Sequence, residues 1–519
     1  MVETYGEQMK PEYIVVGGGT AGCIVAARLS EDPGVTVTLL EWGPSDADEP
    51  RAHDIRRWAE MLEGEYDLDY RSVPQERGNS DIRMSRMRIL GGCSTANTMI
   101  SWKPLRGDLE EWVGLGATGW GPDEVWPFWD RVQAPITPVA AKDRNPYLEE
   151  VIDSAASALG IPRRESWNGT EFSSGAGFFE IGYDPETHRR SSTSHSYLEP
   201  VIAERDNLTV ATGVRVQRLV VNDGRAVGVD AIGADGAERR FEAAREVIVC
   251  CGAIDTPALL QRSGIGPSAV LAAAGIRCEL DLPGVGENLQ DHAEGLVVWE
   301  TRELPGDTMA TGWDAGYVVT LDDTNGLPDV STHIPLETWG VHVENSGVAL
   351  PALNVSLAPN VCKPKSRGRV WVTDASPEVA PSIDYRYFTD PDGHDEATLV
   401  AGIKLARRVA EAEPFASKLV REVFPGPDVV DDADISRLAR ATHQTVYHVS
   451  GTCRMGADGD PGAVLDPRLR VRGIDGLRVV DASAFPTVTA LNPVGTIMTL
   501  AERGAALILE DRAAAGPRA

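Results

Sequence analysis

An α/β protein whose N-terminal part is a parallel βαβ unit is what this sequence predicts, on three observations. The apolar run Tyr13 to Val16 leads straight into Gly17, Gly19 and Gly22, spaced as GxGxxG. A helix-compatible stretch follows, and a second apolar run, "VTVTLLEWG", closes on the acid Glu41. Further runs, "LTVATGVRVQRLVV", "REVIVCCGA" and "LRVVDAS", add strands of the near-continuous apolar kind that buried sheets use. In "DEATLVAGIKLARRVAEAEP", Leu399, Ile403, Ala406 and Val409 or Ala410 share one side, which predicts an amphipathic helix ended by Pro414. "PVGTIMTLAERGAALILEDR" predicts another helix near the C-terminus.

The chain has 519 residues, 42% of them hydrophobic, enough for two domains or one large composite with a full core. A net charge of −29 disfavours nucleic acid and anionic membranes as partners, and it would draw in a cationic substrate. No apolar run reaches the roughly 18 residues of a membrane span, and the start "MVETYGEQMKPEYIVVGGG" lacks the pattern of a secretory leader, so a cytoplasmic location is expected. Seven cysteines without CxxC spacing argue against a disulfide framework and a structural zinc site; Cys250 and Cys251 read as core residues of a strand. The scatter of the histidines gives no metal site.

The GxGxxG segment has a chemical purpose in this context. Gly17, Gly19 and Gly22 let the backbone approach a pyrophosphate, and the helix that begins around Thr20 and Ala21 offers free N–H groups and a positive dipole end. Glu41 can accept ribose hydroxyl bonds, which disfavours a 2′-phosphate. The pattern leaves NAD and FAD equally open.

Longer strings narrow the choice. "RILGGCSTAN", "GAIDTPALLQRSGIG", "PGVGENLQDH", "HVSGTCRMG" and "LRVVDASAFPTVTALNPVGTIMTLAER" occur in that order, and together they resemble the signatures of the glucose-methanol-choline (GMC) family of flavin oxidoreductases. The resemblance implies FAD and a fold that is both α/β and α+β. Its Rossmann-like FAD-binding domain would come from residues 1–132, 186–293 and 446–519, and its antiparallel-sheet substrate domain from 133–185 and 294–445. It also implies cofactor contacts from Gly91, Gly92, Ser94, Ala96, Asn97, Val214, Asp481, Ala482, Asn492 and Pro493, with Asp481 at the ribityl chain.

Within the family, "RRWAEMLEGEYDLDY", "DHAEG", "HQTVYH" and "YRYFTDPDGHD" resemble the choline-oxidising members. Carried over by position, Glu294 faces a trimethylammonium group, with Trp58, Trp313, Trp339 and Tyr447 around it. Val446 and Thr98 complete the substrate side, and His333 lies near the substrate oxygen. A quaternary ammonium has no N–H to donate, so aromatic faces and one anion are the groups that can hold it. His448 matches the family's active-site histidine and Asn492 its partner; an imidazole that shares the hydroxyl proton eases departure of the C–H hydride to flavin N5. His292 is a further active-site histidine ranked below His448, and His443 has no assigned role.

Two departures stand out. The resemblance implies a histidine bonded covalently to the flavin where this chain has Ala96, so FAD is expected to be held without that link, and the electron acceptor is expected to be dioxygen or another acceptor. "DRVQAPITPVAAKDRNPYLEE" reads as a shortened loop before the substrate domain. The expectation is FAD-dependent oxidation of a small alcohol to the aldehyde, choline or a related cationic amino alcohol first, with onward oxidation to the acid and homodimer formation left open. An uncharged alcohol or sugar is the alternative substrate, and a redox-inactive hydroxynitrile-lyase-like flavoprotein the alternative class.

Overall fold

The computed structural model describes residues 10–169, 171–321 and 326–515. The first nine residues, part of the leader reading, lie outside the described residues. Five short strands form a parallel sheet in the order Leu477–Val479, Glu246–Val249, Tyr13–Val16, Val37–Leu40, Leu208–Ala211. Tyr13 pairs with Glu246 on one side and with Val37 on the other. All four residues of Tyr13–Val16 are buried, as befits a central strand covered on both faces. Helix Thr20–Leu29 follows the glycine turn and packs against the long terminal helix Val494–Ala515.

The apolar run beginning at Leu208 divides. Leu208–Ala211 joins the parallel sheet, and Gly213, at φ +70°, turns the chain out of it. Arg215–Asn222 then forms a separate antiparallel sheet with Arg225–Ile232 and Glu238–Glu242. Its alternating polar residues suit a sheet wet on one side.

A second large sheet runs Leu419–Phe424, Val297–Thr301, Asn354–Val361, Val330–His333, Ala315–Val319, Gly175–Phe178, Arg163–Arg164, with Ala293–Glu294 and Gln444–Thr445 paired beside Asn354–Val361. Its pairings are antiparallel except the last, at Arg163–Arg164. Helices Pro146–Leu159 and His394–Ala410 cover it, the latter through buried Leu399, Ile403, Ala406, Val409 and Ala410. That helix stops at Ala410, four residues before Pro414, and Phe415–Lys418 makes a separate turn. Among the described residues no helix is long and apolar enough to cross a membrane.

Candidate active site

A cavity of about 530 Å³ runs from the glycine turn of the parallel sheet to the face of the antiparallel sheet. At the first end a Cβ on Gly17 would lie 2.7 Å from the Cys250 carbonyl oxygen, and one on Gly22 would collide with the Gly17 carbonyl oxygen. Gly22 therefore brings helix and strand together without lining the cavity, whereas Gly17, Gly19, Thr20 and Ala21 do line it. No side chain caps helix Thr20–Leu29, so its first amides stay free for an anion. Glu41 is buried at the same end; its carboxylate accepts from Gly18 N at 2.7 Å and Gly43 N at 2.6 Å, and burial pushes its pKa up to about 7. Trp42 carries two guanidinium groups over its ring, Arg215 at 4.0 Å from the ring centre and Arg88 at 5.0 Å. Both Cys250 and Cys251 border the space, so these cysteines are wall as well as core.

The loop with Ala96 forms one 3₁₀ turn, Gly92–Thr95. Gly91 sits at φ +91°, and a Cβ on Gly92 would come within 2.7 Å of Gly19 Cα, so only glycine lets this loop meet the dinucleotide turn. Gly91 and Ser94 shape the loop from behind; Ser94 Oγ donates to Gly91 O at 2.6 Å. The fully buried Arg190 donates to the carbonyls of Ser94 and Asn97. Ala96 packs in an apolar cluster with Ala52, Met61, Met87 and Ile89, and with Asn97 and Thr98 it faces the cavity. Val214, Ala482 and Pro493 complete this wall. Asp481 borders it too, with its oxygens taken by Gly252 N, Thr256 Oγ1 and Ser483 N.

His448 and Asn492 meet in the middle of the cavity, Asn492 Nδ2 standing 3.3 Å from His448 Nε2. The proton positions follow from the partners. Trp102 Nε1–H donates to Asn492 Oδ1 at 3.1 Å, so the amide presents its NH₂ to His448. His292 Nε2 lies 3.0 Å from the Thr489 carbonyl, which can only accept, so His292 carries its proton there and its Nδ1 is a lone pair. That lone pair is 2.9 Å from His448 Nδ1, which must then be the donor. His448 Nε2 is left unprotonated, beside Asn492. Burial holds the His448 pKa well below 6.5, with the nearby His292, His333 and Arg86 adding to the shift. His292 is brought down to about 3, mostly by burial and then by Lys363.

Three tryptophans pack together at the far end: Trp58 stacks on Trp339 at 5.6 Å and meets Trp313 edge-on at 6.4 Å, and Trp313 stands 6.2 Å from Trp339. Tyr447 and Val446 line the cavity nearby. Glu294, 1% exposed, is placed by its strand pairing opposite Gln444 and Asn360. Gln444 Nε2 donates to Glu294 Oε1 at 2.9 Å, and His333 Nδ1 lies 2.9 Å from Oε2. His333 Nε2, which also borders the cavity, has no partner among the described residues. His443 is turned away, its Nε2 accepting from Asn79 N at 2.9 Å.

Comparison with known proteins agrees with this arrangement. The GMC oxidoreductase N-terminal model matches residues 11–294 and its C-terminal model residues 364–501. This chain is a GMC oxidoreductase. Choline oxidase of Arthrobacter globiformis is 41% identical, over 97% of this chain and 95% of its own. Oxygen-dependent choline dehydrogenase of Photobacterium profundum is 32% identical, over 96% and 93%. The crystal structure of pyridoxine 4-oxidase from Mesorbium loti superposes with a TM-score of 0.88 at 29% identity, over 96% of this chain and 99% of that one.

The cofactor of this GMC oxidoreductase is FAD, and the bare cradle at Gly17, Gly19 and Gly92, the free helix amides and buried Glu41 fit its diphosphate and ribose. Reasoning from the sequence missed several wall residues: Trp42, Arg86, Arg215, Arg262, Asp255 and Gln444. Gln444 lay within the quoted "HQTVYH" and Arg215 next to Val214, so adjacency was the available signal. Among the described residues no group of three or more His, Cys, Asp and Glu is gathered as a metal would need.

Proposed function

We propose that this enzyme oxidises choline, or a closely related cationic amino alcohol, to the aldehyde. The observation that carries the reading is one cavity holding both a tryptophan cluster with buried Glu294 and a base whose free lone pair is set by its neighbours. The cationic head goes to Trp58, Trp313, Trp339, Tyr447 and Glu294, with Val446 and Thr98 beside it; each aromatic face contributes about 0.5–2 kcal/mol when desolvated. The hydroxyl goes to His448, His333 and Asn492. His448 Nε2 takes the hydroxyl proton while the Asn492 NH₂ steadies the oxygen's developing charge. FAD, held by the Gly17, Gly19 and Gly92 cradle and Glu41, would supply the acceptor for the hydride that leaves the alcohol carbon.

Two relatives, named as a choline oxidase and as an oxygen-dependent choline dehydrogenase, support both the substrate and dioxygen as the electron acceptor. We assign residues 1–132, 186–293 and 446–519 to the FAD domain and 133–185 and 294–445 to the substrate domain, with a cytoplasmic location. FAD is held without a covalent bond to residue 96, because alanine has no nucleophilic atom. One observation favours an uncharged alcohol instead: both Glu294 oxygens already have hydrogen-bond donors or partners in His333 and Gln444.

A spectrum of the purified protein before and after acid precipitation, followed by anaerobic addition of choline, tests these points together. Flavin in the supernatant and bleaching by choline are the expected results. Flavin in the pellet overturns the non-covalent assignment. Absorbance unchanged by choline overturns the substrate, and absorbance unchanged by any alcohol leaves the lyase class.

A further inference from the structure

Lys363 follows the central antiparallel strand Asn354–Val361 and is absent from the cavity wall. A largely buried lysine needs partners, and this one has four. Its Nζ lies 2.9 Å from Asp108 Oδ1 and 2.7 Å from Glu111 Oε2, and donates to Val488 O at 2.7 Å and Thr487 Oγ1 at 3.3 Å. Asp108, fully buried on helix Arg106–Gly114, accepts Ala490 N–H with both oxygens, at 3.1 and 3.0 Å. Residues 487, 488 and 490 are thus tied to one ion pair. The carbonyl they enclose is that of Thr489, the acceptor that fixes the proton on His292 Nε2.

We propose that Lys363, with Asp108, is a positioning residue for the catalytic base: it holds the Thr489 carbonyl against His292 and keeps His292 neutral, so that His448 Nε2 remains free. This rests on His448 being the base. Were His292 to take a second proton, its Nδ1 would become a donor facing His448 Nδ1. The His448 proton would then have to sit on Nε2, and the lone pair that meets the alcohol would be gone.

Other charged or titratable groups around the pair balance as follows. Asp291, next in sequence, spends its carboxylate on Tyr387, Thr445 and the His448 N–H. Glu294 is bonded to His333 on the sheet side, and Arg86 approaches His448 from the covering loop. Glu111 and Asp108 neutralise Lys363 from the helix side. The carbonyls of Thr489 and Cys362 favour a proton on His292, and after burial the lysine charge is the largest influence that keeps the ring from taking a second one, with His333 adding to it.

The test uses the FAD-loaded enzyme with ¹⁵N-labelled histidine and the pH profile of kcat/KM. NMR of the wild type should show His292 as the Nε2–H form and His448 as the Nδ1–H form, both neutral. Lys363→Met should mix or charge these forms and move the acid limb of kcat/KM up by about one pH unit, and Lys363→Arg should restore both. Asp108→Asn keeps an acceptor for Ala490 N–H but unmasks the lysine charge, so its limb should move the other way. Opposite shifts are not what general loosening of the fold produces. Unchanged tautomers and an unchanged limb in Lys363→Met, or shifts of one sign in both variants, overturn the proposal. If Lys363→Met does not fold, Asp108→Asn alone decides by the direction of its shift. Correct tautomers with no acid limb in the wild type support the positioning role and count against His448 as base.

Discussion

His448 owes its chemistry to atoms it does not share with the alcohol. A buried imidazole resists protonation, and the tautomer is dictated through His292 by the Thr489 carbonyl. Because its pKa is lowered, the competent neutral form exists above that lowered value and is lost only as pH falls through it. The expected kcat/KM is therefore flat from mildly alkaline pH down past 6.5, and a limb centred at or above 6.5 would contradict the assignment. Glu294 is the other decisive side chain. Glu294→Gln keeps the bond partners His333 and Gln444 within reach but removes the charge, so KM for choline should rise about tenfold or more, at 1.4 kcal/mol per factor of ten, with little change for an uncharged alcohol. Equal effects on both substrates would favour the uncharged reading. His448, Asn492 and Glu294 were legible because they stand in strings rare enough to carry a resemblance. Lys363 and His292's role were not, since a lysine bonded to a carbonyl 125 residues later leaves no local pattern.

The βαβ unit was the element most legible from residues alone. Period, glycine spacing and an acid at the end of the second strand agree there, and Tyr13–Val16, Thr20–Leu29 and Val37–Leu40 appear where that pattern puts them. The run after Leu208 was less legible, because a strand that leaves one sheet for another looks continuous in composition until Gly213 is known to be at positive φ. The order of the antiparallel sheet could not be read from the pattern at all; it depends on pairings such as Glu294 with Asn360. A substitution tests the first element's packing. Gly22→Ala should push helix Thr20–Leu29 off the Gly17 carbonyl, costing about 2 kcal/mol or more and lowering the fraction of protein purified with FAD. Thermal melting and the flavin-to-protein absorbance ratio read both effects; normal values would mean the turn has room that the geometry denies.

Charge acts over the entire surface. At −29 the enzyme attracts a cation from beyond contact range, and that attraction is screened within about 10 Å at 0.1 M salt. For choline, kcat/KM should fall several-fold as salt rises from about 0.01 to 0.5 M, while an uncharged alcohol should be almost indifferent. An identical salt response for both would remove steering from the account.

The cavity draws its wall from Gly17 near one end of the chain and from Asn492, Pro493 and Ile497 near the other. A ribosome making this protein therefore releases the βαβ unit long before the residues that cover its helix and complete the flavin site exist. Cofactor capture has to wait until translation has passed residue 497, so riboflavin shortage should strand finished apoprotein rather than stalled fragments.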